Sequence, residues 1–543
     1  MGSSESKELS RATSGAMLGI ILSRLSGIVR QQVVLAVFGA GAVMDAFVIP
    51  FRYANMLRDL LAEGALSSAF TKVLVDARSQ GIDAERRLIS IVFAFFGGIT
   101  LLLSLFGVIW APELMTFTTD RSFHEASGID LAAGLFRVLI FYMPLTMLSA
   151  ATMAILSTRR KTFNATMASS FFNVGMILGA LALSPLFSRI GIDPLYGLAV
   201  GVVAGGIMQF LYQAVPVAKL GLLCIPKMAF RDIWTFRPLI EVMYLMGPRA
   251  MAQGAVIINL FINTLLATQQ VGTSTYISSA QLIILVPIGL FGVATGFSSL
   301  PMLTEALAAG DRPRFVGLLR QGLHSAQWLS FLSVLAFAIC SLPFCIVLFE
   351  HGRFTRFDSI EIAAAICAYA AGIVFTTGSK VLQQGFFAMG DTRRIVVNST
   401  LYMIINGSLS YLFSRIDPGP VSFGIAASTA AACDFGLNLF FLERMSRKRG
   451  FSMVAEMNRS DYSTGAMSRI GLATCLAAAL GVFWAWSTPR VAAILGHNIG
   501  FLSAIAWLSV EGIVLGAVAY GLTHAWGPAS MKRLMRRNPI VDQ

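Results

Sequence analysis

Residues 250–304 read AMAQGAVIINLFINTLLATQQVGTSTYISSAQLIILVPIGLFGVATGFSSLPMLT, 55 residues without one Asp, Glu, Lys or Arg. A helix needs about 20 residues to cross ~30 Å of hydrocarbon, so this run is too long for one crossing. The polar QQVGTS at 269–274 supplies a turn, and the stretch reads as a hairpin of two spans. Outward from it, further uncharged runs recur at 88–112, 138–158, 162–188, 195–218, 395–414, 470–489 and 512–531. The whole chain of 543 residues is 56% hydrophobic and 13% charged, against about 25% charged in soluble domains. No polar stretch is long enough to fold as a soluble domain. The expected fold is an all-α polytopic membrane protein with about fourteen transmembrane helices, near 13–37, 43–75, 88–112, 131–157, 163–187, 195–218, 238–268, 274–308, 320–349, 359–389, 393–414, 421–443, 467–487 and 499–523.

A net charge of +13 raises nucleic acid as a partner, and the placement of the charges argues against it. Loops on the side of the N-terminus hold 27 of the 41 Lys and Arg, loops on the other side hold 6, and 8 lie inside helices. That asymmetry is the positive-inside signal, which puts both termini in the cytoplasm. The basic loops at 159–161, 444–449 and 532–537 then need only anionic membrane lipids. The start, MGSSESKELSRATSG, lacks the compact apolar core of a cleaved signal, so the first span is expected to be retained. Its MGxxxS pattern resembles a myristoylation signal, which in a polytopic chain is read as fortuitous. The six Cys are scattered without CxxC spacing, which implies small core residues and neither disulfides nor metal. Walker-type, HExxH and dinucleotide-binding glycine patterns are absent from the sequence, so no cofactor is expected. An intramembrane enzyme cleaving a lipid phosphate is conceivable, but the duplication described next fits a transporter better.

Sliding the chain on itself by 233 residues lays the 159–161 cluster near Arg393 and Arg394, and Asn173 on Asn406. Both copies continue to Ile-Asp-Pro, at 192–194 and 416–418. Six helices per copy is an even number, so the copies share one orientation, related by a pseudo-two-fold axis along the membrane normal. The expected organisation is an N-tail 1–12, a six-helix lobe 13–218, a linker 219–237, a second six-helix lobe 238–445, a loop 446–466, a helix pair 467–523 and a basic tail 524–543. The tail, linker and loop segments are expected on the cytoplasmic side. Such repeats place a binding site between lobes that rock against each other.

Charges inside the first two spans decide what that site would bind. The first carries Arg24 and Arg30; the second carries Asp45, Arg52, Arg58, Asp59 and Glu63. At the bilayer centre one Arg costs about 2.5–3.5 kcal/mol, so four would cost roughly 10–14 if they faced lipid. Asp45, Arg52 and Asp59 are seven apart and share a helical stripe, with Glu63 beside it. Arg58 is about 120° from Arg52, as Arg24 is from Arg30, so no single seam holds all four. Either Gly27 and Pro50 bend these helices, or the charges line a wide chamber, the preferred reading. A purely structural ion-pair network is the competing one. The arginines outnumber nearby acids, and their planar forks suit phosphate oxygens. Arg249 in the 238–268 span would add a fifth cation if it faces the chamber. The 233-residue shift puts Asp45, Arg52, Arg58 and Glu63 on Ser278, Leu285, Phe291 and Gly296, so the first lobe is polar where the second is apolar. That suits an amphiphile. Lys380 and Asp434 are candidates for an inter-helix pair, and Glu511 is a lone intramembrane acid.

These residues resemble the MurJ (MviN) lipid II flippases of the MOP superfamily over about residues 15–530. The resemblance rests on SRLSGIVRQQVVLAVFGAGAVMDAFVIPFRYANMLRDLLAEGALSSAF (23–70), HGRFT (351–355) and KVLQQGFFAMGDTR (380–393). It implies two lobes around a central cavity, a final helix pair grooved for an undecaprenyl tail, and movement of lipid-linked peptidoglycan precursor to the outer leaflet of the bacterial inner membrane. Cell-wall synthesis proteins are the implied partners. An exporter of another polyprenyl-linked sugar or of drugs is the alternative within the same superfamily, and a non-transporting membrane scaffold is a third reading. The family's cavity arginines carry onto Arg24, Arg30 and Arg58, its acids onto Asp45 and Glu63. Gln31, Gln281-Leu282 and Asn263 depart from family positions expected to hold an acid, an Asp-Arg pair and a sodium-binding aspartate.

Overall fold

The computed structural model describes residues 3–61, 66–159, 161–223, 231–391, 393–458, 474–484, 486–487 and 500–526. Among them the chain is helical, with no strand. The helices are α1 (Ser3–Phe38), α2 (Ala42–Leu61), α3 (Ser67–Ser79), α4 (Ile82–Ile109), α5 (Ala111–Thr118), α6 (Ile129–Leu139), α7 (Tyr142–Thr158), α8 (Thr162–Leu178), α9 (Pro194–Lys219) and α10 (Arg237–Ala267). They continue with α11 (Thr273–Pro287), α12 (Ala294–Ala308), α13 (Arg312–Phe349), α14 (Arg356–Ala388), α15 (Arg393–Ser414), α16 (Pro420–Lys448), α17 (Thr474–Trp484) and α18 (Phe501–Trp526). Ten helical spans among the described residues are long and apolar enough to cross a membrane. This is an all-α multi-pass membrane protein.

Helix ends follow local chemistry. The Asp193 carboxylate accepts from Leu195 N at 2.8 Å and Asp311 from Arg314 N at 3.0 Å, each one residue before a helix that carries Pro in its first turn. Thr355 and Asp358 form a reciprocal capping box. The span expected over 131–157 turns between α6 and α7 because Pro144 has no N–H for the carbonyl of Ile140. That carbonyl accepts instead from Ser104 Oγ of α4 at 3.0 Å. The uncharged run at 250–304 breaks at the expected polar segment, with α10 ending at Ala267 and α11 opening at Thr273.

Contacts group the chain into two compact units, Met1–Gly272 with His351–Phe354, and Thr273–Glu350 with Thr355–Gln543. In the first, Phe70, Val73, Leu88, Val92, Met147 and Ile155 build an apolar core between α3, α4 and α7, joined by Leu239 and Val242 of α10. A second contact surface in this unit is made by glycine. Gly175 on α8 and Gly179 just past its end cross Gly197, Gly201 and Gly205 on α9 so closely that a Cβ on Gly175 would lie 2.7 Å from the Gly201 carbonyl oxygen, and one on Gly205 2.7 Å from that of Phe172. Small residues at four-residue spacing let helix backbones meet where lipid offers no hydrophobic drive to association. Residues 351–354 dock on the end of α1, where Arg353 N donates to Ala36 O at 2.9 Å. Gly352 has φ +61, and a Cβ there would collide with the same carbonyl.

In the second unit, Phe315, Leu319, Leu323, Leu382, Phe386 and Leu442 pack α13, α14 and α16 together, with Met453 and Met457 beyond. α18 lies on α13, and Gly481 of α17 meets the backbone of Ala338.

Glu85 at the start of α4 is 1% exposed and takes both oxygens to Arg159 Nη2 at 2.6 Å, at the end of α7. Removing one member of such a pair strands the other charge, at about 3 kcal/mol or more. Arg159→Ala is therefore expected to lower the thermal midpoint strongly. Glu85→Leu with Arg159→Met is expected to regain most of the loss; unfolding scans of the purified variants check this.

Candidate functional site

The α1 sequence puts Gly19, Ser23, Ser26 and Arg30 on one stripe by their spacing of four, three and four, and that stripe faces α8. A Cβ on Gly19 would overlap Thr166 Oγ1, so the helices touch there. Ser23 Oγ and Ser169 Oγ share a hydrogen bond of 2.7 Å. Asn173 is the polar centre of this seam. Its amide nitrogen donates to Ser26 Oγ at 2.8 Å and to the Ser23 carbonyl at 3.2 Å, while its Oδ1 accepts from Arg30 Nη1 at 3.2 Å. Arg30 is half-buried, and its guanidinium lies 6.0 Å from the Phe172 ring centroid, within reach of the ring's negative face. Phe172 stacks on Tyr142 and on Phe51, and Phe51 on Phe47. A neutral amide and an aromatic ladder thus orient the Arg30 guanidinium.

Arg24 lies off this seam and is exposed. The 120° separation from Arg30 explains it: a helix that turns Arg30 toward α8 must turn Arg24 elsewhere.

On α2 the expected stripe of Asp45 and Arg52 meets the end of α10. Asp45 is 2% exposed and accepts from Gly272 N at 2.5 Å. Arg52 is half-buried and donates from Nη1 to Thr264 Oγ1 at 3.1 Å. Seven residues forward on α2 correspond to eight residues back along 264–272, so the two segments run antiparallel. Tyr53 reinforces the contact, stacking at a tilt on Phe261 and donating to the Thr118 carbonyl at 2.8 Å. Thr268 Oγ1 accepts from Asp120 N at 2.9 Å.

The structure therefore joins Arg30 with Asn173 and Phe172, joins Phe172 with the residue preceding Arg52, and ties Arg52 to the last turn of α10 and Asp45 to Gly272 just beyond it. Glu63 lies outside the described residues, as do the side chains of Arg58, Asp59 and Arg249; Arg58 and Arg249 belong to α2 and α10. Sequence reasoning used Asn173 as a repeat marker and not as a site residue, and it overlooked Phe172, Thr264 and Gly272. The repeat was the available signal for the first: Asn173 and its partner Asn406 are polar residues inside apolar runs, and both are buried. Among the described residues no cluster of His, Cys, Asp and Glu could hold a metal ion. The arrangement offers fixed guanidinium groups, suited to an anion.

A family model described as "Lipid II flippase MurJ" matches residues 34–481. A probable lipid II flippase MurJ of Vibrio cholerae serotype O1 is 29% identical over 461 residues, covering 82% of this chain and 86% of the relative. One of Haemophilus influenzae is 27% identical over 518 residues, covering 93% and 97%. Among solved structures, "Lipid II flippase MurJ, inward closed conformation" superposes with a TM-score of 0.66 at 21% identity, over 88% of this chain and 99% of that one. An inward-facing multidrug resistance MATE family transporter of the MOP superfamily gives 0.64 at 12% identity, over 79% and 95%. At such identities the superpositions speak for the fold.

Proposed function

The chain belongs to the lipid II flippase MurJ family, and from that premise we propose that it carries lipid-linked peptidoglycan precursor from the inner to the outer leaflet of the bacterial cytoplasmic membrane by alternating access. The observation that carries the reading is the family match over residues 34–481. The chemistry agrees with it. Lipid II is an amphiphile whose sugar headgroup hangs on a diphosphate, and guanidinium forks bind phosphate oxygens in pairs. In this account Arg24 and Arg30 of α1 take the diphosphate, with Arg52, Arg58 and Arg249 completing the cationic lining. Asp45 and Glu63 balance and orient those cations. Both termini lie in the cytoplasm, following the distribution of Lys and Arg. The precursor is delivered to cell-wall synthesis proteins on the far side. The protein works as a transporter and makes or breaks no covalent bond.

The test is replacement in living cells. A strain depleted of its own lipid II flippase is expected to keep growing when it expresses this chain, and lipid II is expected to reach its outer leaflet at the normal rate. Growth without outward movement of lipid II would instead identify another polyprenyl-linked sugar, or a drug, as the cargo.

A further inference from the structure

Glu511, the lone intramembrane acid of the sequence, has no part in the diphosphate account. It stands nine residues from Leu502 and eleven from Leu522, the ends of a candidate span, about 14 and 17 Å along the helix axis, which is the middle of that span. Of the α18 side chains that the structure describes, Ala504 alone is buried, and Trp507, Leu508, Glu511, Leu515 and Leu522 are half-buried. Their spacings of three, four and seven put them on one stripe, and that stripe is the face by which α18 lies on its neighbours. Glu511 sits at its centre.

The stripe meets α13, and its Trp507 ring lies 6.4 Å from that of Trp484 on α17. The side chain that faces the Glu511 carboxyl is Cys340 of α13, itself half-buried. Other titratable groups on these two helices stand apart. Cys345 is five residues further along α13 and fully buried, His324 is sixteen residues back with the arginines of α13 beyond it, and Cys475 is nine residues from Trp484 on α17. No cation among the described residues acts on the carboxyl, and Glu511 Oε2 is buried without a hydrogen-bond partner among them.

A carboxylate spreads its charge over two oxygens that only accept, and a thiol offers it one weak donor. Charge held in such a place is costly, and an apolar residue would fill the same stripe without that cost. A neutral carboxyl removes most of the penalty and brings a donor of its own. Oε2 is closed to anything as large as water, whereas a proton needs no room.

We propose that Glu511 is a proton-binding site on the covered stripe of α18: with its proton the carboxyl seats α18 against α13 at Cys340, and without it the charge lifts this part of α18 away. The seated form binds the proton more tightly than the lifted form, so raising the pH favours lifting.

The experiment labels the purified full-length protein in lipid nanodiscs with a membrane-permeant maleimide. Peptide mass spectrometry reads the labelling rate of Cys340 from about pH 5 to about pH 9, upward from the ordinary Glu range near 4.3, and each rate is divided by that of Glu511→Gln at the same pH. The variant keeps a neutral side chain of the same size, so the ratio removes the thiol's own titration. It is expected to be near one at the acid end and to rise several-fold at the alkaline end, as α18 uncovers Cys340. A carboxylate that stayed seated would repel the thiolate and lower the ratio, so a flat or falling ratio overturns the proposal. A second reading needs no variant, and so survives a failure of Glu511→Gln to fold. Dicyclohexylcarbodiimide adds to carboxyls that carry their proton, which passes to a carbodiimide nitrogen as the carboxyl oxygen bonds to the central carbon. Glu511 is expected to take the adduct at the acid end and to lose reactivity as the pH rises; absence of the adduct at every pH overturns the proposal as well. Neither measurement needs lipid cargo, so the outcome is independent of the flippase reading.

Discussion

Cells that depend on an Arg30→Ala variant are expected to stop growing while the protein accumulates normally in the membrane. The guanidinium is oriented by Asn173 Oδ1 at 3.2 Å and by the Phe172 ring, so its side-chain freedom is spent before any ligand arrives. A hydrogen bond to a charged partner contributes about 1.5–3 kcal/mol, which makes the expected loss of lipid II movement roughly 10–100-fold for this arginine alone. Arg24→Ala is expected to have an effect of similar size, and the double variant to abolish movement. Arg30→Lys is expected to fail as well, because an ammonium is a point charge without the planar fork. Rescue assays with quantified membrane levels check each variant, and full rescue by the double variant would remove the arginines from the mechanism.

The other large effect is expected from Gly175→Leu. A Cβ at that position meets the backbone of Gly201 and Gly205, and backbone cannot move aside as a flexible side chain can. Overpacking by a single methyl typically costs about 1–3 kcal/mol, so Gly175→Ala is expected to lower the thermal midpoint, and the larger Leu to prevent accumulation. The damage reaches the site, because Phe172 and Asn173 lie within one turn of Gly175 on α8 and move with it. Gly98→Ala is the control: a Cβ there meets nothing within 4 Å. Expression level and unfolding midpoint separate the two positions, and equal tolerance at both would contradict the crossing.

Much of this architecture is legible in residue order. Uncharged runs near 20 residues translate directly into spans because lipid cannot satisfy a stray charge, and the QQVGTS turn falls between α10 and α11. Neighbour choice is less legible. Nothing in the apolar face of 237–267 announces that its end will be held by Asp45 and Arg52, since the groups that receive them are a backbone amide and a threonine hydroxyl, common and uncharged. The glycine crossing was written in the spacing of 175, 179, 197, 201 and 205, but glycine is frequent in membrane helices and the pattern gains meaning only when both partners are known. Arg24 and Arg30 were readable as misplaced charges. Their different surroundings followed from helical geometry, whereas the partners that hold Arg30 required a second helix.

The central claim is that arginines of the first unit hold a lipid diphosphate during transport. Leaflet-resolved translocation in liposomes containing the purified protein tests it most directly, with lipid II compared against an analogue whose diphosphate is replaced by an uncharged linker. The account predicts rapid movement of lipid II, little movement of the analogue, and loss of the difference between them in Arg24→Ala with Arg30→Ala. Equal movement of both lipids by the unmodified protein would contradict it.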